Sequence, residues 1–340
     1  MRFLLKEFIK YLIPKEQKIR IGFVVPHITT YNRVTASTRI RVYDIIKAFD
    51  SSTTYCLELY RPFRVYSIVV FLKTYNAEAY TRAQRLKEKG IKVVFDININ
   101  IFEPKSAFVS KQQLDDGKRF ANLCDAVMTN SPHTFKVLKT LFPNKKEVFF
   151  IKETINSNYL NATKKKASTV ELIWIGYKHK AQALYSIKEL LLEIYKKYSF
   201  TIKVICEENP HLDFGDCPVI FCPYDHKSVV NHLSKSSVFI SPRDTNDSYN
   251  LGHSFTKIGI AMAVGLPVIA SPLPAYQSSP AILCENKEEW QKALLDIFEG
   301  RIDLEKVTSE GKAFCEKDYG VEKVKEAYND MFNHLMLKQR

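Results

Sequence analysis

The polar residues best equipped for chemistry in this chain come directly after apolar runs. Arg243, Tyr249, Asn250 and His253 follow VFIS, and Ser254 and Lys257 open the next amphipathic stretch. Lys178 and Lys180 follow VELIWI, Asp96 and Asn98 close IKVVFD, and His133 comes after AVMT, Asn130, Ser131 and Pro132. Beyond IGFVVP stand His27, Arg33, Ser37, Arg39 and Arg41. A guanidinium such as Arg243 can grip a phosphate through two parallel hydrogen bonds. Its plainer role is a salt bridge to Asp244 or Asp247. Lys257 falls in a helix's first turn, where free N–H groups and a partial positive charge already favour an anion. The plainer alternative is a solvated lysine. Asp96 has the chemistry of a general base or of a carboxylate that orients a hydroxyl, or else it caps a loop. His133 is a second candidate base, and an ordinary helix-start histidine otherwise. Arg39 and Arg41, on different sides of their helix, offer with Ser37 a site for an anionic group; one of them can equally be a surface charge.

The elements that must place these residues are legible. Residues 254–271, SFTKIGIAMAVGLPVIAS, read as helix, stop and buried strand. Ser254 suits an N-cap, Gly265 suits the left-handed residue that ends a helix, and Pro267 forbids continuation. In residues 19–151 strand-like and helix-like segments alternate, and residues 170–270 repeat the pattern. Such alternation predicts parallel, doubly wound sheets. The polar stretch 156–169, NSNYLNATKKKAST, predicts a linker. The expected layout is an α/β domain over 1–155, a linker, a second α/β domain over 170–320, and a terminal helix over 321–340 long enough to cross back. Ligands of such domains bind at the carboxyl ends of the strands, where the candidate residues cluster.

Composition bounds the function. The net charge of +13 asks for an anionic partner. Seven scattered cysteines without a C-x-x-C pair argue against a disulfide framework or a zinc site and for a reducing compartment. No D-x-D occurs, which disfavours a metal-clamped diphosphate; no metal and no cofactor are expected. No apolar run is long enough to span a bilayer. Residues 1–20 carry Leu4, Leu5, Phe8, Tyr11 and Leu12 at helical spacing among basic residues. That pattern fits a helix lying on a membrane surface or one packed on the protein's own core.

AMAVGLPVIAS resembles the signature of the GT-B glycosyltransferases of family four. ASTRIRVYDII, DAVMTNSPHT and SPRDTNDSYNLGHSFTK are similar to further segments of bacterial members, so the resemblance covers both halves. It implies a GT-B fold and transfer of a sugar from a nucleotide-sugar donor to a glycan or lipid-linked acceptor in surface polysaccharide synthesis, retaining and metal-independent. From their positions after strands and at the helix start, donor contacts are expected from Arg243, Ser254, Lys257, Tyr249, Asn250, His253, Lys178 and Lys180. Catalytic roles are expected of Asp96, His133 and Lys257, and acceptor or phosphate contacts of Arg39, Arg41, Ser37 and Asn98. The resemblance also implies a cytoplasmic protein, peripheral on the inner membrane surface through residues 1–20. The chain departs from the family at one place: Gly252 and Ile260 stand where members typically carry paired glutamates. Two alternatives keep the same fold. One is a nucleotide-sugar epimerase or hydrolase. The other is a basic, non-catalytic protein binding membranes or anions; nucleic acid is disfavoured because the cations are dispersed without interleaved aromatics.

Overall fold

The computed structural model describes residues 18–27, 35–104, 106, 108–165 and 169–337. Expectations for residues 1–17, Arg33 and Lys166 lie outside them. The apolar runs form two six-stranded parallel sheets. The first holds β1 (Ile19–Val24), β2 (Tyr55–Leu59), β3 (Ile68–Leu72), β4 (Lys92–Asp96), β5 (Ala126–Thr129) and β6 (Val148–Phe150), in the order β2-β1-β3-β4-β5-β6. The second holds β7 (Glu171–Ile175), β8 (Thr201–Cys206), β9 (Val219–Pro223), β10 (Val238–Ser241), β11 (Val268–Ala270) and β12 (Ile282–Leu283), in the order β12-β11-β10-β7-β8-β9.

Each sheet is buried on both faces, which is why its central strands are apolar without alternation. In β3, Ile68, Val70 and Leu72 face one core with Ile45 and Phe332. Val69 and Phe71 face the other with Ala83 and Phe120. The helix Val321–Leu337 belongs to the first core: Val324, Tyr328, Met331, Phe332 and Leu335 pack against Ile21, Phe23 and Phe49. The chain thus crosses back as expected. Its two crossings run side by side, joined by Ile155 N–H to the Tyr319 carbonyl at 2.8 Å and by Lys152 to Asp318 at 3.1 Å.

The spacing of apolar residues predicts α-helices over 181–198 and 38–49, and both expectations are corrected. The long helix expected over 181–198 is a 3-10 helix at Lys178–Ile187 followed by an α-helix at Lys188–Tyr195. Within it the Ser186 hydroxyl bonds the Ala183 carbonyl at 2.7 Å, a local bond that competes with regular α-helix. The helix expected over 38–49 runs as Ala36–Thr38, a π-helical segment Arg39–Tyr43, and Asp44–Ala48. A widened turn of this kind re-aims side chains and recurs at functional sites. The short elements Ser248–Leu251 and β12 carry no readable period.

Candidate functional site

The helix Thr256–Ala263 and strand β11 form as their sequence predicts, with Gly265 at φ +87° closing the helix. This places Lys257 beside the carboxyl ends of β7 and β10. Its ammonium stands 5.2 Å from the Trp174 ring of β7. Arg243 leaves β10 with its N–H on Ser271 Oγ at 2.8 Å and its Nη1 on Asn250 Oδ1 at 3.3 Å. Lys180 approaches from beyond β7; its Nζ lies 3.1 Å from Tyr249 Oη and 3.4 Å from His253 Nε2. These cations repel one another. Burial first, then Arg243 and Lys73, push the Lys180 ammonium down to about 7. Burial, Arg243 and Lys180 push Lys257 well below the usual lysine range, and the same two cations with burial keep the His253 imidazole neutral. The carboxylate acting against them at Lys180 is Asp247, whose own oxygen is occupied capping Ser248–Leu251. A cluster of partly buried cations that depress each other is built for an incoming anion of more than one charge.

The start of the Thr256–Ala263 helix corrects one expectation. Ser254 does not cap it; its hydroxyl donates to Glu153 Oε2 at 2.7 Å, and the Thr256 hydroxyl donates to the same oxygen. A carboxylate acceptor outcompetes a backbone N–H because the bond is charge-assisted. Glu153 comes from the segment after β6, so this bond ties the two domains together. Asn98 Nδ2 reaches its other oxygen at 3.4 Å.

Asp96 is also corrected. It does not present a carboxylate to the cleft: it is 0% exposed, and Arg41 Nε donates to both its oxygens at 3.0 and 2.8 Å. Arg41, 1% exposed, donates a further bond to the Ile151 carbonyl at 3.1 Å. Neither arginine is a surface charge. Arg39 donates across the cleft to Tyr224 Oη at 2.9 Å. Ser37 Oγ lies 3.2 Å from Thr35 Oγ1 and 3.4 Å from Lys73 Nζ. His133 Nε2 is 2.7 Å from Glu103 Oε2 at another strand end. Lys178 is not part of the cation cluster; it is exposed and pairs with Glu208 at 3.0 Å. His27 is exposed and lines a cavity of about 300 Å³ with Lys73 and Asn76.

Four participants escaped the sequence reading. Glu153 follows β6 just as Asp96 ends β4, so the same positional signal was present. Lys73 follows β3 with φ +49°, a left-handed conformation unusual for lysine. Phe108 lays its ring 5.3 Å from Tyr249. Asn100 donates across the cleft to the Ser248 carbonyl at 3.0 Å. That approach explains Gly252: a Cβ there would stand 2.3 Å from Asn100 Cβ. The position that carries a glutamate in the resembled family is here the floor of an interdomain contact.

Among the described residues no group of three or more His, Cys, Asp and Glu is placed to hold a metal ion, and no helix is long and apolar enough to cross a membrane.

Two Rossmann-like domains, facing across a cleft lined with cations and bound together by a returning terminal helix, define a GT-B architecture. No family model matches the chain, and no curated protein matches it in sequence. Its fold is similar to that of HepE from Anabaena in complex with UDP-glucose, at TM-score 0.69 and 10% identity over 93% of this chain and 100% of that one. Sucrose-phosphate synthase from Thermosynechococcus elongatus matches at TM-score 0.68 and 11% identity, covering 94% of this chain and 100% of that one. TarM from S. aureus, in a structure with Fondaparinux, alpha-GlcNAc-glycerol and UDP, matches at 0.62 and 13% over 78% of this chain. The chain spans only 55% of the length of that TarM chain. At these identities the likeness is one of fold.

Proposed function

We propose that the protein is a glycosyltransferase moving a sugar from a nucleotide-sugar donor to a glycan or lipid-linked acceptor, in the manner of the bacterial surface-polysaccharide branch of family four. The observation that carries this reading is the convergence of Lys180, Arg243 and Lys257 at the carboxyl ends of the second sheet. The bond from C1 of the donor sugar to the phosphate oxygen breaks, and its electron pair stays on the diphosphate. The three cations stabilise that developing charge without a metal. The acceptor hydroxyl bonds C1 on the same face and gives its proton to the departing phosphate oxygen, which makes the reaction retaining. Residues 170–320 are the donor side, residues 1–155 the acceptor side, and 156–169 the linker. Tyr249, Asn250 and His253 meet the sugar, while Arg39, Ser37, Asn98 and His133 line the acceptor approach. UDP-sugars are the first donors to assay, because the HepE, TarM and alpha-glucosyltransferase structures of similar fold carry UDP or UDP-glucose. The protein works at the cytoplasmic face of a membrane, held there through residues 1–20.

A thermal-shift panel of UDP, GDP, CDP, ADP and dTDP tests the donor site. One nucleotide is expected to stabilise the wild type, by about 2.7 kcal/mol at a hundredfold excess over Kd. Arg243→Ala is expected to lose the response. Silence from the whole panel would favour the non-catalytic anion-binding reading.

The depressed Lys180 gives a second prediction. Its folded pKa of about 7 lies below the ordinary 10.5. Between these values the unfolded chain binds more protons, so this group's contribution to stability rises with pH from about 7 to 10.5. A bound diphosphate reverses the preference by favouring the ammonium form. Titration calorimetry at pH 8 in buffers of different ionisation enthalpy should therefore show proton uptake on nucleotide binding, reduced in Lys180→Met. Binding enthalpies independent of buffer would remove Lys180 from the site.

A further inference from the structure

Lys73 follows β3 with φ +49°, a backbone conformation that is costly for any residue with a Cβ. Asparagine or glycine would take that turn more cheaply, so the turn alone does not explain a lysine there. The turn is pinned by the Lys73 N–H on the Asp96 carbonyl at 2.9 Å and by the Thr74 hydroxyl on the Leu72 carbonyl at 2.8 Å. Such outliers cluster at binding sites, where the surrounding structure holds them in place. The ammonium is also underused. Among the described residues Lys73 has no ion pair, and its one side-chain hydrogen bond is to Ser37 Oγ at 3.4 Å. Burial pushes the ammonium below the usual lysine range, although Glu153 and Asp96 pull the other way. Those two carboxylates are engaged elsewhere, Asp96 by Arg41 and Glu153 by Ser254 and Thr256. The charge of Lys73 is felt across the cleft, where it pushes Lys180 and His253 down. A half-buried cation without a counter-ion is set to receive one. Beside it lies a cavity of about 300 Å³ whose walls include His27, Lys73, Thr74, Tyr75, Asn76 and Asp116.

We propose that this cavity is an acceptor subsite, and that the acceptor sugar bears an anionic group, carboxylate or phosphate, which Lys73 holds. This inference rests on the transferase reading given above and adds the chemical class of its acceptor. The cavity is at the small end of ligand sites, which suits one sugar unit. Lys73 pairs with the charge, while Thr74, Asn76 and Asp116 meet hydroxyls of the same ring. Asp116 already accepts from Gln112 Nε2 at 2.8 Å, as a carboxylate placed for neutral donors does. Ser37, which stands on the acceptor approach, bonds Lys73 and so joins the cavity to the cleft. The donor diphosphate is the other anion at hand. Its cations Lys180, Arg243 and Lys257 belong to the second domain, whereas the cavity opens beyond β1 and β3 of the first. A neutral acceptor would leave the ammonium desolvated and unpaired, which is the costly arrangement for a charge.

The test titrates the full chain with methyl glucuronide, glucose 6-phosphate and methyl glucoside, as carboxylate, phosphate and neutral probes, with and without the nucleotide that stabilises it. Calorimetry is expected to show at least one anionic probe binding about tenfold more tightly than the glucoside, the size of one charge-assisted contact. Which of the two wins tells a uronic acid from a sugar phosphate. Lys73→Asn suits the left-handed backbone, and Lys73→Met keeps the stem. Each is expected to bring the preferred probe down to the level of the glucoside while the thermal response to the nucleotide stays. A wild type that holds neither anionic probe more tightly than the glucoside overturns the proposal, and so does a preference that survives both substitutions. Loss of the nucleotide response in both variants overturns it as well, and makes Lys73 a contact of the donor diphosphate. A wild type that answers no nucleotide yet prefers an anionic probe through Lys73 would sink the transferase reading and keep the anion site.

Discussion

Lys257→Met is expected to give a protein that melts at a higher temperature without ligand and transfers sugar 10²- to 10³-fold more slowly, the loss typical of removing one preorganised donor from a developing anion. The two effects have one cause. Lys257 gains from the Trp174 face, a contact worth roughly 0.5–2 kcal/mol. It loses from burial and from Arg243 and Lys180, and the well-depressed ammonium shows that the loss prevails. Methionine keeps the stem over Trp174 and removes the charge. The sign of the pH dependence follows. A lysine depressed in the folded state makes the unfolded chain the better proton binder, so wild-type stability from this group increases as pH rises toward the ordinary lysine value. In Lys257→Met that slope should flatten. Thermal melts across pH, paired with transfer assays, check both parts. A variant less stable than wild type at neutral pH would mean that the cation is structural.

Asp96→Ala is expected to cost about 3–5 kcal/mol of stability, the usual consequence of leaving a buried charge without its partner. Arg41 would remain 1% exposed, its Nη2 already without a hydrogen-bond partner among the described residues. Asp96→Asn should cost less, because an amide oxygen still accepts from Arg41 Nε. Replacing both, as Asp96→Leu with Arg41→Met, should recover much of the loss, since a packed apolar pair removes the desolvation cost of both ions. Denaturant melts of these variants decide between an anchor and a general base. An Asp96→Asn protein with wild-type stability and no transfer activity would restore the catalytic reading.

The same strand-end rule that selected Asp96 selected Arg243 and Lys180, and its two results differ for a physical reason. Residues just beyond a strand lie at the carboxyl end of the sheet, but whether they face the cleft depends on what packs over them. Over β4 the widened turn at Arg39–Tyr43 delivers Arg41 to Asp96. Beyond β10, Arg243 stays partly exposed and its Nη1 bonds Asn250 of the segment that follows. Ser254 shows the same dependence: its N-cap geometry was a sound local expectation, overridden by a carboxylate from the other domain.

The sequence by itself determined the parallel α/β sheets, the helix-stop-strand of residues 254–271 and the returning terminal helix. Each rests on short-range periodicity and on backbone limits that glycine and proline impose locally. Tertiary structure alone decided which charges meet. Lys180 is separated from Arg243 and Lys257 by 60 to 80 positions, and Glu153 from Ser254 by about a hundred. The strand order that puts β7 beside β10 in the second sheet sets the first distances, the facing of the two sheets sets the last, and no local pattern encodes either.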